Sequence, residues 1–186
     1  MKMDIKKIVN TILIFTVKRI LEIVGILIIF LGILIFISLA SYSPSDPNFI
    51  FPKNTQIDNI LGFQGSYISD LFFQSIGLIS FLVPVTLLFT GVSLFRKKQI
   101  SLIIENIFYV VLYSLIGALF FSHFYPDAFT LYINGNGGFV GGYFNQTFLN
   151  GVIKSNSIIS YYFFIILITA LFLLSVNFNL KIFIYF

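Results

Sequence analysis

Residues that could carry acid–base or metal chemistry are few in this sequence and far apart. The chain has one histidine, His123, and no cysteine. No second metal ligand stands at a convincing spacing from His123. Glu22, Asp70 and Glu105 lie near the ends of apolar blocks, whereas ion pathways place ionisable groups deep in a membrane. We therefore expect no catalytic residue, no metal and no cofactor, and we do not expect an enzyme.

Glycine clusters could bind a nucleotide, but their spacing is wrong. Gly135-x-Gly137 is followed by Val140 where a dinucleotide-binding loop needs its third glycine. The Gly-Lys-Ser/Thr of a phosphate-binding loop is absent from the sequence. Nucleotide binding is therefore excluded as an interpretation of these glycines.

The same cluster also contains two small-residue helix-contact patterns, Gly137-x-x-x-Gly141 and Gly138-x-x-x-Gly142. Because they lie between apolar blocks, we favour a glycine-rich backbone turn over a helix contact. The glycines inside the apolar blocks are better candidates for close helix packing: Gly25, Gly32, Gly77, Gly91 and Gly117.

Four apolar blocks set the fold class. The chain is 58% hydrophobic and only 10% charged, while a soluble domain has about 25% charged residues. Each block is long enough to cross about 30 Å of hydrocarbon as a helix. The sequence thus predicts an all-α, multi-pass membrane protein. The predicted spans are 20–40, 68–95, 102–125 and 158–176, with a basic arm at 1–19, a membrane domain at 20–176, loops at 41–67 and 126–157, and a tail at 177–186.

Two spans carry local signals of their own. The arm before the first span is either a basic helix on the membrane surface or the positive flank of that span. Ser38 and Ala40 resemble a signal-peptide cleavage site, but the apolar block is longer than a signal peptide needs. Pro84 is expected to kink the second span, and Asp70 and Gln74 to lie at its interfacial end.

Basic residues are distributed unevenly about the spans. Five precede the first span, three lie between the second and third, and one is in the tail, against Lys53 and Lys154 in the other two loops. The positive-inside rule then predicts both termini in the cytoplasm and the two long loops outside. The residues that determine this topology are Lys18, Arg19, Arg96, Lys97 and Lys98. Anionic lipid and topology account for these clusters without direct DNA binding.

A polar, proline-rich stretch follows the first span. Its prolines lack amide donors and its serines and aspartate favour turns, so the first helix must end there. The stretch is Ser41, Tyr42, Ser43, Pro44, Ser45, Asp46, Pro47, Asn48 and Phe49.

Two segments in the predicted outer loops are alike. Gly62, Phe63, Gly65 and Tyr67 match Gly138, Phe139, Gly141 and Tyr143 at a constant offset of 76, and Phe72 matches Phe148. This repeat predicts two tandem helical hairpins from a duplicated two-helix unit, with chance similarity as the alternative.

These motifs together resemble the amino-terminal four-helix membrane domain of FtsK/SpoIIIE-type DNA translocases. The resemblance is carried by the stretch 41–47, by Gly62-x-x-Gly65-x-Tyr67-x-x-Asp70-Leu71, and by Gly77 and Pro84. It is weaker at Asn134-Gly135-x-Gly137-Gly138-x-x-Gly141. It covers about residues 20–176.

The resemblance implies a membrane anchor at the division septum of a bacterial inner membrane, linking cell division to chromosome partition. It implies contacts with lipid and with divisome membrane proteins, and leaves a homo-oligomer open. The family's linker, ATPase motor and DNA-reading domain have no counterpart in this sequence, so no motor activity and no DNA or ATP binding are expected of it.

Two other function classes are weighed against the anchor. A small transporter or channel subunit would need polar groups along an interior path at mid-membrane depth, and the sequence suggests none. A membrane enzyme would have to use outward residues such as Asp46, Asp127 and His123.

Overall fold

The computed structural model describes residues 5–47, 56–126 and 133–177, and every regular element in these ranges is helical. Four stretches are long and apolar enough to cross a membrane: Val9–Ala40, Gly62–Lys97, Ser101–Phe124 and Ser157–Ser175. The predicted fold class, an all-α protein with four transmembrane helices, is confirmed. The α-helices are α1 (Ile5–Ala40), α2 (Gly62–Ile76), α3 (Leu82–Lys97), α4 (Ser101–Phe124), α5 (Gly138–Asn145), α6 (Phe148–Ser155) and α7 (Ser157–Ser175).

Helix α1 is one continuous helix of 36 residues. It runs without a break past residue 19, so the described part of the basic arm extends the first span and is not a separate surface helix. The apolar side chains of Ile12, Leu13 and Phe15 are 58%, 57% and 59% exposed. Helix α1 ends just before Pro44, whose missing amide donor and fixed φ do not suit a helix interior.

The second span is broken, and the prediction of a kink at Pro84 is wrong in position. Helix α2 stops at Ile76, a 3₁₀ turn covers Gly77–Phe81, and α3 then begins. The break starts at Gly77, which has a φ of 69°. Pro84 is the third residue of α3, where an amide donor has no helical partner to lose.

The four spans pair as α1 with α3 and α4 with α7. Gly25 and Gly91 make the closest contact of the first pair, since a Cβ on Gly25 would lie 2.8 Å from the Gly91 carbonyl oxygen. At one end of the second pair, the hydroxyl groups of Tyr125 and Tyr161 are 2.7 Å apart. This pairing matches the two tandem hairpins expected from the sequence.

The buried apolar residues among those described form two small clusters, one near the first loop and one that reaches the middle of α4. Ile35 and Leu39 of α1 pack on Phe73 of α2, and Ile79 and Val83 pack on Tyr113 of α4. In α7, by contrast, Ser175 is the one buried residue among those described. Most of the α7 surface is therefore left for lipid.

Candidate functional site

Asp46 closes the first loop upon itself. Its side chain is 3% exposed, and its carboxylate oxygens accept the backbone N–H groups of Asp58 and Asn59 at 2.8 and 2.9 Å. Hydrogen bonds from amides to a buried carboxylate are stronger than neutral ones. The aspartate of the 41–47 stretch thus joins the two described ends of the loop.

The prolines and serines of the same stretch also act on the backbone. Pro44 occupies the second position of a turn in which the Asp46 N–H donates to the Ser43 carbonyl at 3.2 Å. Ser41 donates to the Ile37 carbonyl and accepts the Ile60 N–H. Other bonds of the stretch join Ser43 to Ser45, Tyr42 to Asp70, and Ser66 to the Pro47 carbonyl.

Asn59 is a functional residue that the sequence interpretation missed. It is 3% exposed, and its Nδ2 donates to the carbonyls of Ser38 and Ser41 at 2.9 and 3.2 Å. Its Oδ1 accepts the Leu61 N–H at 3.1 Å. Because the last carbonyls of a helix have no partner within it, this amide satisfies the end of α1 and positions the start of α2.

Asn136 has the same role in the second loop. It is 1% exposed, and its Nδ2 donates to the carbonyl oxygens of Tyr125 and Pro126 just after α4. In each loop a buried asparagine therefore holds the carbonyl end of one span shortly before a helix-starting glycine. In the sequence, this role is indicated by an Asn that stands two or three residues before such a glycine.

Gly62 and Gly138 have matching backbone conformations. They have φ values of 64° and 63°, and each is the first residue of its helix, α2 or α5. A positive φ is disfavoured for residues with a Cβ, so both positions favour glycine. The likeness stops soon afterwards, because Phe72 lies inside α2 while its matched residue Phe148 begins α6.

Gly137 and Gly141 form a close helix contact, so the interpretation of this pattern as a turn only is wrong. A Cβ on either glycine would clash with the Ala118 carbonyl of α4. Gly142, by contrast, has nothing within 4 Å of an added Cβ. The contact pattern thus holds for Gly137-x-x-x-Gly141, while Gly138 serves the turn.

The two loops meet at the start of the 3₁₀ turn. The Leu78 N–H donates to the Asn136 carbonyl at 2.9 Å, and Asn134 bonds to Gln74. A Cβ on Gly138 would lie 2.7 Å from the backbone nitrogen of Gly77. We call the joined unit, residues 41–47, 56–76 and 133–145, the loop cap.

Aromatic pairs of the repeat lie on the loop cap. The rings of Phe63 and Tyr67 are 5.8 Å apart, and those of Phe139 and Tyr143 are 6.5 Å apart. Phe139 and Tyr143 are 66% and 62% exposed.

Asn48, Phe49, Asp127 and the tail beyond residue 177 lie outside the described residues.

The basic residues lie at the opposite ends of α1 and α3 from the loop cap. Glu22 accepts a bond from Arg19 at 2.7 Å and from Lys98 at 2.5 Å. Lys98 ends α3 with a left-handed φ of 55°. Lys18, Arg96 and Lys97 are exposed. The Glu22 carboxylate thus joins α1 to the end of α3. Its two partners, Arg19 and Lys98, are among the residues predicted to determine the topology.

A chain of buried polar side chains joins α3, α4 and α7. The Thr86 hydroxyl lies 3.1 Å from the Tyr113 hydroxyl and 2.9 Å from the Ser175 hydroxyl. Asn106 donates to Thr90 at 2.8 Å, and the Asn177 side chain donates to Asn106 at 3.1 Å. Tyr113 is the thirteenth of the 24 residues of α4, so this series of bonded side chains reaches the middle of a span.

The sequence suggested no polar interior path, and the polar side chains found in the middle of a span bond between helices. Thr86 and Tyr113 are 1% and 0% exposed and bond from one helix to another. Such interhelical bonds hold membrane helices together. Bonds between the helices account for these hydroxyl groups, so they give a transporter no support.

His123 and the acidic residues do not converge on one site. The His123 Nδ1 lies 3.3 Å from the Asn145 Oδ1, and Asp46 is occupied by backbone amides. Among the described residues, no three His, Cys, Asp or Glu side chains could together hold a metal.

Comparison with known proteins identifies the fold family. A family model described as the 4TM region of DNA translocase FtsK/SpoIIIE matches residues 17–184. The chain belongs to this family. The matched range contains the 41–47 stretch, both glycine starts, three complete spans and the first span from residue 17 onward.

Relatives with the name DNA translocase FtsK match the chain in part. The protein of Rickettsia typhi is 32% identical over 88 residues, which are 47% of this chain and 12% of the relative. That of Rickettsia bellii is 27% identical over 143 residues, which are 76% of this chain and 18% of the relative. The chain thus spans less than a fifth of the length of these relatives. No solved structure matches it.

Proposed function

We propose that this 4TM region is the membrane anchor of an FtsK-type DNA translocase and holds it at the division septum of a bacterial inner membrane. The family match over residues 17–184 is the observation that carries the proposal. DNA pumping and ATP hydrolysis would belong to the parts of such translocases that this chain does not match. The chain itself would contribute no motor step and no direct contact with DNA or ATP.

The arrangement of the loop cap supports an anchoring role. Asp46 joins the two described ends of the first loop, Asn59 and Asn136 bind carbonyls at the span ends, and Leu78 bonds to Asn136, so the described parts of both loops form one joined surface. With the basic ends of α1 and α3 in the cytoplasm, this surface faces outward. Ile60, which lies in the turn just before α2, is 77% exposed on this surface. Divisome membrane proteins would contact this outward side.

Localisation in dividing cells tests the proposal. A fluorescent protein fused after residue 186 should give a bright band at mid-cell during constriction. A fusion of residues 1–40 that carries the fluorescent protein before residue 1, on the predicted cytoplasmic side, is the control and should stain the whole membrane evenly. Even staining by the complete, membrane-inserted fusion would rule out a septal role for this chain.

A further inference from the structure

Helix α6 lies at the level of one membrane boundary. A single residue, Asn156, separates it from α7. Helix α7 has 19 residues, or about 28 Å of helix at about 1.5 Å per residue, which is close to the hydrocarbon thickness of a bilayer. The first turn of α7 is therefore at the hydrocarbon edge, and α6 must lie beside it.

The sides of α6 differ in what covers them. Ile153 is 4% exposed and packs on the protein. Phe148 and Val152, which are four residues apart and so share a face, are 80% and 60% exposed. Lys154 is exposed, and the helical rotation of 3.6 residues per turn places it away from that face. Helix α6 is thus amphipathic, with an apolar face that no described residue covers.

The first turn of α7, which follows α6 directly in the chain, is also apolar and exposed. Ile158 and Ile159, in the first turn of α7, are 76% and 69% exposed. Short helices with one apolar face and basic residues on another lie in the plane of the headgroup boundary. A lipid surface is therefore the occupant that fits, since the neighbouring face of α7 is already expected in lipid.

We propose that α6 is an interfacial helix that lies flat in the bilayer boundary next to α7. Phe148 and Val152 enter the acyl region, while Lys154 stays among phosphate groups and water. The proposal does not depend on the septal role, because it concerns lipid and not a division protein.

The sequence offers a direct test because it contains no tryptophan. Single Phe148→Trp, Val152→Trp and Lys154→Trp variants would be reconstituted in phosphatidylcholine–phosphatidylglycerol vesicles whose acyl chains carry bromine. Bromine should quench the first two at least about twofold more strongly than Lys154→Trp, because quenching requires contact with acyl chains. Aqueous acrylamide should give the reverse order. Ile159→Trp serves as the lipid-exposed reference, and circular dichroism checks that each variant is folded.

Two results would overturn the interfacial position. Equal acrylamide quenching of all three variants, with none by bromine, would place α6 in water. Protection of Phe148→Trp and Val152→Trp from both quenchers would mean that protein, such as a second copy of this chain, covers the face.

Discussion

Single polar residues of the loop cap act on the backbone and not on a ligand. The Asp46 carboxylate accepts two backbone N–H groups, and the side-chain amides of Asn59 and Asn136 each donate to two carbonyls at or just after the end of a span. Each group is nearly fully buried, where an unpaired polar group is costly. The proline- and serine-rich stretch therefore specifies a loop shape.

Replacement of Asp46 by Asn tests this at the residue scale. Asn keeps the size of the side chain but turns one acceptor oxygen into a donor that faces a backbone N–H. The variant should lose about 1–3 kcal/mol of stability, because a buried donor is left unsatisfied. Thermal unfolding in detergent, followed by circular dichroism, measures the loss.

Asp58→Asn is the matched control for Asp46→Asn. It makes the same change of charge in the same loop, but Asp58 is exposed and has a single weak bond, of 3.4 Å, from Ser43. Its unfolding temperature should stay near that of the wild type. Equal losses in the two variants would show that net charge, and not the amide bonds, stabilises the loop.

Helices in this protein approach one another mainly at glycines. Gly25 and Gly91 bring α1 to α3, while Gly137 and Gly141 bring the loop cap to α4. Small residues allow the close backbone contact on which membrane helices depend. At the scale of elements, the loop cap is thus held to the spans by backbone proximity as well as by side chains.

A pair of glycine substitutions in α5 should have opposite effects. Gly141→Ala places a Cβ against the Ala118 carbonyl and should destabilise the protein by about 1–3 kcal/mol, the usual cost of overpacking. Gly142→Ala meets open space and should stabilise it by up to about 1 kcal/mol, since Ala is the better helix former. Thermal unfolding compares them, and a stable Gly141→Ala variant would contradict the packing contact.

The membrane-spanning helices could be predicted from the sequence, whereas the contacts between those helices could not. Runs of apolar residues predict spans because each helix must satisfy its own backbone in lipid. The bond between Thr86 and Ser175 could not be predicted, because 89 residues separate them and the register of α3 on α7 depends on packing. The break at Gly77 was likewise missed, since it results from the approach of Asn136 from another loop.

At the scale of the whole molecule, among the described residues, the loop cap and the basic residues of α1 and α3 lie at opposite ends of the spans. The loop cap joins both long loops at one end. The ion pairs of Glu22 with Arg19 and Lys98 lie at the other end, with the exposed side chains of Lys18, Arg96 and Lys97. Basic residues resist translocation, so this asymmetry predicts that the basic end stays in the cytoplasm.

Topology reporters test the orientation of the molecule. A phosphatase that is active only outside the cytoplasm should be active when inserted near Asn54 and inactive after Phe186. A fluorescent protein that folds only in the cytoplasm should give the reverse result. The expected pattern follows from five basic residues before the first span and three between the second and third, against Lys53 and Lys154 in the other loops. Replacing Arg96, Lys97 and Lys98 with Gln should weaken it, whereas an inverted pattern in the unmodified chain would place the loop cap in the cytoplasm and remove it from outward partners.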